Sequence, residues 1–483
     1  MAQNIENVAT YRLNIQDIIL KKIDGESLTI KDMMFSLSIY QSIFQPVMKA
    51  ELYLFDASGL QSNFPMVGEE LIEIHYLESQ AGASDTQNSI EEENDDIQRL
   101  IFCVDSVERQ TWGKQGIDSI YVLKLYSVEM LDNVKKRIQT AYNTTYTNAI
   151  RLLLENELNT IESGRKLKGM TFEDQPEQTK GSFKFIVPNM KPLDALLWMN
   201  KRAVSLNPEN SYFVFFERFD GFYFNTIQQM VKYQKEQTNS KIGDPQGYRK
   251  IKKYYWVQGF TEGAFLDGIT NRQQRVLSDL TVNKRYSTFQ KILGGYFENE
   301  YYEIDIYNKN IISIASTIND GTTTSSTLEE SKFNTPEFIK KILGKDSNRG
   351  TKTKIKYSIV QDRGDYPGAP NYFSDKYNKA LRDQTALGQI NLTASAIGDT
   401  RVQAGDVIEL DIPKVQGFIT NESDQYLRGK YLIVDIKHSI TRGNDYTITM
   451  NLSKDSFFTE ISNTMEYSEG TKQKTSEDTE KVK

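Results

Sequence analysis

Imidazole and thiol groups are the side chains best suited to metal binding and nucleophilic chemistry, and this chain of 483 residues has only three of them. They are His75, Cys103 and His438, which lie far apart along the sequence. A structural or catalytic zinc site needs three or four ligands, usually from His and Cys. We therefore predict no metal site. His438 shares the apolar face of its strand, so we expect a core or interface histidine rather than a ligand. Cys103 alternates with apolar neighbours, so we expect a small buried residue.

Sequence motifs for catalysis are missing as well. No Walker-type phosphate loop, dinucleotide-binding glycine motif, zinc-protease helix motif or serine nucleophile elbow occurs. Gly344-Lys345 and Gly429-Lys430 lack the upstream glycine of a phosphate loop. The carboxylate pairs that hydrolyse sugars have no fixed spacing in sequence. With 65 acidic residues in the chain, finding a candidate pair is not evidence for such an enzyme. We predict a protein that is not an enzyme, with no catalytic residues and no cofactor.

Composition narrows the class further. The net charge of −7 and the pI near 5.3 argue against a protein held to nucleic acid by phosphate contacts. A lone cysteine excludes an intrachain disulfide framework and fits synthesis in a reducing cytoplasm. The N-terminal residues show no signal-peptide pattern, and no run of about 18 apolar residues predicts a membrane helix.

Two charged stretches could bind ligands, and each has a simpler explanation. Tyr248–Trp256 is basic with interleaved aromatic residues, as in single-strand nucleic-acid binders, but we favour a solvated strand. Ser79–Gln98 carries a run of acids without the glycine and ligand spacing of a calcium loop. We predict a solvated loop between two strands there.

Alternating apolar and polar residues predict β-structure at both ends of the chain. In the first 130 residues, the predicted inward sets are Phe35/Leu37/Ile39, Ala50/Leu52/Leu54, Ile72/Ile74/Tyr76, Leu100/Phe102/Val104 and Tyr121/Leu123/Leu125. Beyond Tyr377 the sets are Ile408/Leu410/Ile412, Leu432/Val434/Ile436/Ile440 and Tyr446/Ile448/Met450/Leu452. We expect a small barrel or sandwich at each end.

Helical spacing appears between these regions. Tyr146–Leu158 has apolar residues at helical intervals, with Thr147 or Asn148 as the predicted cap. A second helix is predicted from Pro192 to a stop at Asn207-Pro208, with one face made of Leu193, Leu196, Leu197 and Val204.

Tyr212–Phe224, which follows directly, has eight aromatic residues among thirteen. Asp220-Gly221 predicts a tight hairpin turn there. Such strands need cover, and we expect the preceding helix to supply it; a ligand platform is the alternative.

The predicted fold is mainly β with α/β insertions: two similar antiparallel β-barrel (tube-type) domains, a helix-bearing α/β domain and an inserted segment. The first barrel takes residues 1–135, and the α/β domain with the aromatic hairpin takes 136–245. The second barrel is split between 246–300 and 385–460, around a peripheral insertion at 301–384. Within the insertion, Ser316–Ser331 is Thr/Ser-rich and predicts a loop, and Thr335–Leu343 predicts a short helix. Residues 461–483 are expected to be a disordered tail.

This order of parts resembles the baseplate hub proteins of contractile-tailed bacteriophages, and more distantly the hub part of spike proteins in contractile injection systems. Four segments carry the resemblance: Tyr126–Arg137, Leu196–Arg202 followed by Tyr212–Thr226, Asn391–Pro413 and Leu427–Lys454. The acidic loop, the Thr/Ser-rich insertion and the charged tail depart from the pattern.

The resemblance implies a structural virion protein of the tail baseplate, made in the host cytoplasm. It implies a homotrimeric ring that joins the hexameric tail tube to the trimeric central spike and anchors wedge proteins. A contact with the tape-measure protein is left open, and DNA is expected to pass through the channel without specific binding, along an acidic wall. Two other classes remain: a tail-associated cell-wall hydrolase and a carbohydrate- or receptor-binding β protein.

Overall fold

Residues in eighteen stretches of the chain are described by this computed structural model. They are 11–22, 25–68, 70–80, 97–112, 119–159, 164–171, 173–239, 250–256, 275–284, 288–296, 298–305, 309–317, 355–359, 380–381, 383–414, 423–424, 426–443 and 445–455.

The chain is mainly β, as predicted, with its longer helices in the middle. The strands of the N-terminal part are β1 (Tyr11–Lys21), β2 (Ser27–Thr29), β3 (Met34–Ser42), β4 (Lys49–Asp56), β5 (Leu71–Gln80), β6 (Gln98–Trp112) and β7 (Ser119–Ser127). The middle part contains β8 (Ala141–Thr144), β9 (Leu167–Lys168), β10 (Phe183–Ile186), β11 (Phe213–Arg218) and β12 (Gly221–Thr226). The remaining strands are β13 (Lys252–Tyr255), β14 (Leu277–Lys284), β15 (Glu298–Asp305), β16 (Asn310–Thr317), β17 (Ile355–Ile359), β18 (Ile390–Ile397), β19 (Val407–Asp411), β20 (Gly429–Thr441) and β21 (Tyr446–Lys454). The helices are α1 (Leu60–Asn63), α2 (Glu129–Lys135), α3 (Tyr146–Glu157), α4 (Pro192–Arg202), α5 (Ile227–Asn239) and α6 (Thr288–Leu293).

The two predicted β regions are joined in one 13-stranded sheet. Its main path runs β14-β18-β21-β20-β3-β4-β7-β6-β5-β1-β2, and β19 and β13 branch from β20. The join is the antiparallel pairing of β20 with β3, from Asp435↔Ser42 to Thr441↔Ser36. Among the described residues no strand pair closes this path into a ring. The predicted domain boundaries stay a prediction.

The predicted inward-facing residues form the core of this sheet, with two exceptions, Phe35 and Val434. Leu37 and Ile39 are buried, but Phe35 is 58% exposed. The register shifts between Met34 and Ser36, and this bulge turns Met34 inward in place of Phe35. Val434 is only partly buried, and the register shifts there too, between Ile433 and Asp435. Strict alternation therefore fails at two positions where the strands carry an irregularity.

Both predicted helices exist, but their ends differ from the prediction. The cap of α3 is Thr145, whose hydroxyl accepts a hydrogen bond from the Asn148 backbone N–H, rather than Thr147 or Asn148. The second helix, α4, begins at Pro192 and already ends at Arg202. The predicted stop was wrong because the backbone is already extended at Ala203. Val204 is buried, as predicted, but it lies in the segment after the helix.

The predicted aromatic hairpin is β11 and β12, and its turn was placed one residue too late. Arg218 pairs with Gly221, so Phe219 and Asp220 form the turn and Gly221 opens the second strand. Gly221 has φ +149°, and a Cβ there would lie 2.7 Å from the Lys166 carbonyl oxygen. The glycine therefore allows close approach of the segment that leads into β9.

Several predictions fall outside the described residues. They are most of the acidic Ser79–Gln98 loop, nearly all of the Thr/Ser-rich Ser316–Ser331 stretch, the helix at Thr335–Leu343 and the tail 461–483. In the part of the chain that the structure covers, no helix is long and apolar enough to cross a membrane.

Candidate functional site

The aromatic hairpin lies between two hydrophobic cores. Phe213, Phe215, Phe222 and Phe224 pack with α3 and α4, including the predicted Leu193 and Leu196. On the other side, Val214, Phe216 and Tyr223 join the core of the large sheet. Every residue of both hairpin strands is buried, so they cannot present a row of exposed aromatic rings. The hairpin is a packing element, and the platform alternative is wrong.

Phe219, at the hairpin turn, is wedged between the two parts of the sheet. Its ring centroid lies 6.2 Å from that of Tyr76 on β5 and 4.8 Å from that of His438 on β20. The side chain is 5% exposed. The hairpin tip therefore contacts both the N-terminal and the C-terminal strand sets.

A buried polar network surrounds this wedge, and we call it the hairpin joint: Gln41, Arg218, Gln234, Gln403 and Asp406. Arg218 donates to both carboxylate oxygens of Asp406, at 3.0 and 3.3 Å. The Gln403 side-chain oxygen accepts hydrogen bonds from the Phe219 N–H, the Arg218 Nε–H and the Gln41 amide. Gln234 of α5 donates to Asp406 at 2.9 Å. Side chains from β3, the hairpin, α5 and the loop before β19 thus share one set of hydrogen bonds.

Gly405 sets the distance between that loop and the hairpin. Its φ is +85°, and an added Cβ would lie 2.8 Å from the ring of Phe216. Its N–H donates to the Ile433 carbonyl. A side chain here would be strained by the left-handed backbone and would displace the Phe216 ring.

A second buried carboxylate fixes the hairpin to the N-terminal strands. Glu217 accepts from the Ser127 hydroxyl and from the Met48 N–H, both at 2.6 Å. It also forms an ion pair with Arg165, and both side chains are almost fully buried. A charge in this position is held by partners on three separate segments.

Glu177 is a third buried carboxylate, and it fixes the open end of the hairpin. One carboxylate oxygen accepts from Ser205 and Asn210, and the other from the N–H and hydroxyl of Thr226, all within 2.6–2.7 Å. Buried polar contacts therefore hold the hairpin at its turn end, through Glu217 and Arg218, and at its open end, through Thr226.

His438 is a buried core residue, as predicted. Its Nδ1 lies 2.7 Å from the Tyr446 hydroxyl. Burial, together with the nearby Arg218 charge, lowers the pKa of His438 to about 3, so the ring is neutral at neutral pH. The residue contributes shape and one hydrogen bond to the region around Phe219.

The basic Tyr248–Trp256 stretch is not a solvated strand along its described length. Lys252 and Tyr254 are buried, and β13 pairs in parallel with β19. The Lys252 ammonium donates to the Arg401 carbonyl at 2.6 Å and lies 3.9 Å from a carboxylate oxygen of Asp399. The prediction of a solvated strand was wrong because alternate residues of β13 face the core.

His75 and Cys103 lie apart from the hairpin joint. His75 is 3.5 Å from Glu73, which Lys21 and Arg99 also approach. Cys103 is half-buried, its thiol donates to the Tyr126 carbonyl, and burial raises its thiol pKa to about 11. No group of three or more His, Cys, Asp or Glu within the described ranges could hold a metal ion.

The side of β20, β3, β4 and β7 that faces away from the sheet core carries polar side chains, and we call it the polar face. One row across β20, β3, β4 and β7 consists of Lys437, Tyr40, Lys49 and Tyr126, and the next of Ser439, Ser38, Glu51 and Lys124. Lysine ammonium groups lie over the two tyrosine rings at 5.5 and 5.4 Å. Burial and the adjacent Glu51 raise the pKa of Tyr40 to about 12. These rows cross the β3–β20 join and carry both signs of charge.

A cleft of about 450 Å³ opens near Arg165, between α3 and the segment before β9. Its lining sets Glu129 and Glu155 beside Arg151, Arg165 and Lys166. The hairpin contributes Phe222 to the lining.

Sequence reasoning missed the residues of the hairpin joint and the neighbouring ion pair of Glu217 with Arg165. Glu217 and Arg218 interrupt a run of aromatic residues, which is the one sequence signal that pointed to buried charge. Their partners Arg165, Gln403 and Asp406 carry no comparable local signal.

No protein-family model matches this chain, and no curated protein matches it in sequence. Solved structures with a similar course of the chain include a tail protein from Neisseria meningitidis MC58, at 10% identity and a TM-score of 0.45, covering 93% of this chain and 98% of that one. The 43 kDa tail protein of prophage MuSo2 from Shewanella oneidensis has 10% identity and a TM-score of 0.43, over 90% and 97% of the two chains. A chain of the Francisella PdpA-VgrG complex in its half-lidded form has 10% identity and a TM-score of 0.43; the match takes in 94% of this chain and 59% of that one.

Proposed function

We propose that this protein is a structural, non-enzymatic hub of a contractile phage tail baseplate. In this proposal three copies form a ring between the hexameric tail tube and the trimeric central spike, and wedge proteins attach around it. The protein is then part of the virion tail.

The observation that carries the proposal is the single sheet that unites two strand sets across β3 and β20. Each copy supplies two sheet units in a fixed relation, because the hairpin joint contacts both of them. Three copies would supply six such units, which suits a partner with sixfold symmetry on one side and threefold symmetry on the other.

The polar face is the proposed channel wall. One side of the hairpin and α5 join the core of the large sheet, whereas the polar face carries serine, tyrosine, lysine and glutamate side chains. We expected an acidic wall, but Lys49, Lys124 and Lys437 stand there with Glu51. Three lysines to one glutamate speak against the expected repulsion of DNA, because lysines attract phosphates whatever the base sequence. DNA contacts with such a wall would therefore be non-specific.

Mass measurement of the purified full chain tests the proposal, first alone and then with the tube and spike proteins. We expect a trimer, either alone or once the spike is added, and a larger complex with both partners. A protein that stays monomeric with the spike and degrades cell wall would overturn the proposal in favour of the hydrolase.

A further inference from the structure

The cleft of about 450 Å³ between α3 and the segment before β9 plays no part in the proposed ring, and we call it the β9 cleft. One wall is a face of α3 made of Arg151, Leu154 and Glu155, with Leu158 at the end of the helix. The other wall is formed by residues 164–167. The cleft is in the size range of protein clefts that bind small ligands, and it lies between a helix and a strand.

β9 is an edge strand of its sheet, whose strand order is β11-β12-β9. It pairs in parallel with β12, where Leu167 stands opposite Phe222 and the Phe222 N–H donates to the Lys166 carbonyl at 3.0 Å. Neighbouring residues of a strand direct their backbone groups to opposite edges, so the N–H and the carbonyl of Leu167 point away from β12. Among the described residues neither group has a hydrogen-bond partner. One wall of the cleft thus carries a donor and an acceptor that a further strand could use.

Three charged side chains of the lining are accessible to solvent. Lys166 and Glu155 are exposed, and Arg151 is half-buried. Within the described part of the chain, neither Lys166 nor Glu155 has an ion-pair partner, and Arg151 donates one hydrogen bond of 3.4 Å to an amide oxygen. The accessible charge is therefore two positive groups and one negative group, which favours an acidic ligand.

The other charged residues of the lining do not offer their charge to a ligand. Glu129 is 2% exposed. The Arg165 side chain is 8% exposed and forms its ion pair with Glu217 inside the protein. The apolar members of the lining are Leu154, Leu158, Leu167 and Phe222. A ligand for this cleft therefore needs apolar groups as well as acidic ones.

We propose that the β9 cleft binds an extended segment of another protein, which pairs with the free edge of β9 and carries acidic and apolar side chains in alternation. Successive side chains of a strand point to opposite sides, so Lys166 and Leu167 lie on opposite sides of the sheet. Alternation therefore places acidic residues towards Lys166 and apolar residues towards Leu167. Strand addition of this kind takes its affinity from main-chain hydrogen bonds and its specificity from side chains.

The size of the site indicates a tail or a loop of the partner rather than a folded surface. β9 has two residues, whereas two folded proteins in a stable complex bury about 1,200–2,000 Å² in total. A short edge beside a cleft of about 450 Å³ is too small for such a contact. The inference does not depend on the proposed ring, because a monomeric protein would bind the same segment.

A designed peptide tests the proposal on the full-length protein. Fluorescein-labelled Thr-Val-Glu-Val-Glu-Val-Thr is titrated with the protein and compared with the same peptide N-methylated at its five central residues, which removes the backbone donors from both edges. We expect the N-methylated peptide, and the peptide with Gln in place of Glu, to bind about tenfold more weakly or less. Hydrogen exchange of residues 164–168 should slow on addition of the unmodified peptide and not of the N-methylated one, because only the former pairs with β9.

Two charge changes in the cleft should shift the affinity in opposite directions. Lys166→Glu should weaken binding of the acidic peptide by about tenfold or more, whereas Glu155→Lys should strengthen it by about threefold or more. Lys232→Glu on α5 is the control, because Lys232 is 55% exposed and 4.0 Å from Glu236, and it should leave the affinity unchanged. Melting curves are recorded for every variant, and Glu155→Lys keeps the test decisive if Lys166→Glu does not fold.

Four results would overturn the proposal. Absence of binding would exclude the site, and equal binding of the N-methylated peptide would mean that charge attracts the peptide without strand pairing. Self-association that Lys166→Glu abolishes would assign the cleft to a second copy of this chain. Tighter binding of a peptide with the sequence of residues 456–483 would assign it to the chain's own C-terminal residues. A failed trimer measurement would leave the peptide result intact, so the two proposals fail separately.

Discussion

Arg218 of the hairpin and Asp406, 188 residues further along the chain, form a two-pronged ion pair with distances of 3.0 and 3.3 Å. Their side chains are 4% and 12% exposed. Both the charge and the geometry tie the hairpin to the loop before β19.

Removing one partner of this pair should destabilise the protein strongly. Arg218→Met leaves a buried carboxylate without its cation, which costs on the order of 3–5 kcal/mol. Lys253→Met is the control. Lys253 forms an ion pair with Glu409, and the two side chains are 40% and 38% exposed. Exposed pairs of this kind contribute less than about 1 kcal/mol to stability. Urea unfolding of both variants measures the difference, and equal losses would contradict the prediction.

Stability should fall as the pH falls from about 6.5 towards 3, and His438 should cause part of that slope. The unfolded chain takes up a proton near the ordinary histidine pKa of about 6.5, whereas the folded ring does so only near 3. One such group contributes at most about 1.4 kcal/mol per pH unit in this window. His438→Gln should flatten the unfolding free energy between pH 6 and pH 4, relative to His75→Gln, whose side chain is 28% exposed. Identical slopes in the two variants would exclude this role.

Substitutions on the two sides of the hairpin should weaken different parts of the protein. Phe215→Ala removes a ring from the α3/α4 core, and Phe216→Ala removes one from the sheet core, each at a cost of about 3–5 kcal/mol. Hydrogen exchange should show weakened protection first in α3 and α4 for the former, and first in β3 and β20 for the latter. If both variants give one pattern, the hairpin and its two cores unfold as a single unit.

Two glycines with similar backbones should respond differently to alanine. Gly405 and Gly25 have φ of +85° and +97°, but only the former would bring a Cβ against a ring, at 2.8 Å. Both substitutions cost about 1–2 kcal/mol of backbone strain, and Gly405→Ala adds the displacement of Phe216. The melting temperature of Gly405→Ala should therefore be well below that of Gly25→Ala. The reverse order would refute the close packing of Gly405 against Phe216.

The parts of the fold that follow from local patterns were predictable. The spacing of Leu153 and Leu154 predicted α3, and Asp220-Gly221 predicted a hairpin to within one residue. The bulge beside Phe35 was not predictable, because alternation alone does not reveal a register shift. The pairing of β3 with β20 and the ion pair of Arg218 with Asp406 depend on tertiary contacts between distant segments. Neither leaves a signal in the spacing of residues along the chain.

The pairing of β3 with β20 also constrains the order of folding. Ser36 and Thr441 are neighbours across this pair, so a ribosome must continue from Ser36 to Thr441 before the two strands can meet. Until then one edge of β3 is an unpaired template on which another chain could add a strand. Because this long-range contact forms late, the β3 edge must be protected while the chain is being made. Truncated chains that lack β20 should aggregate through this edge.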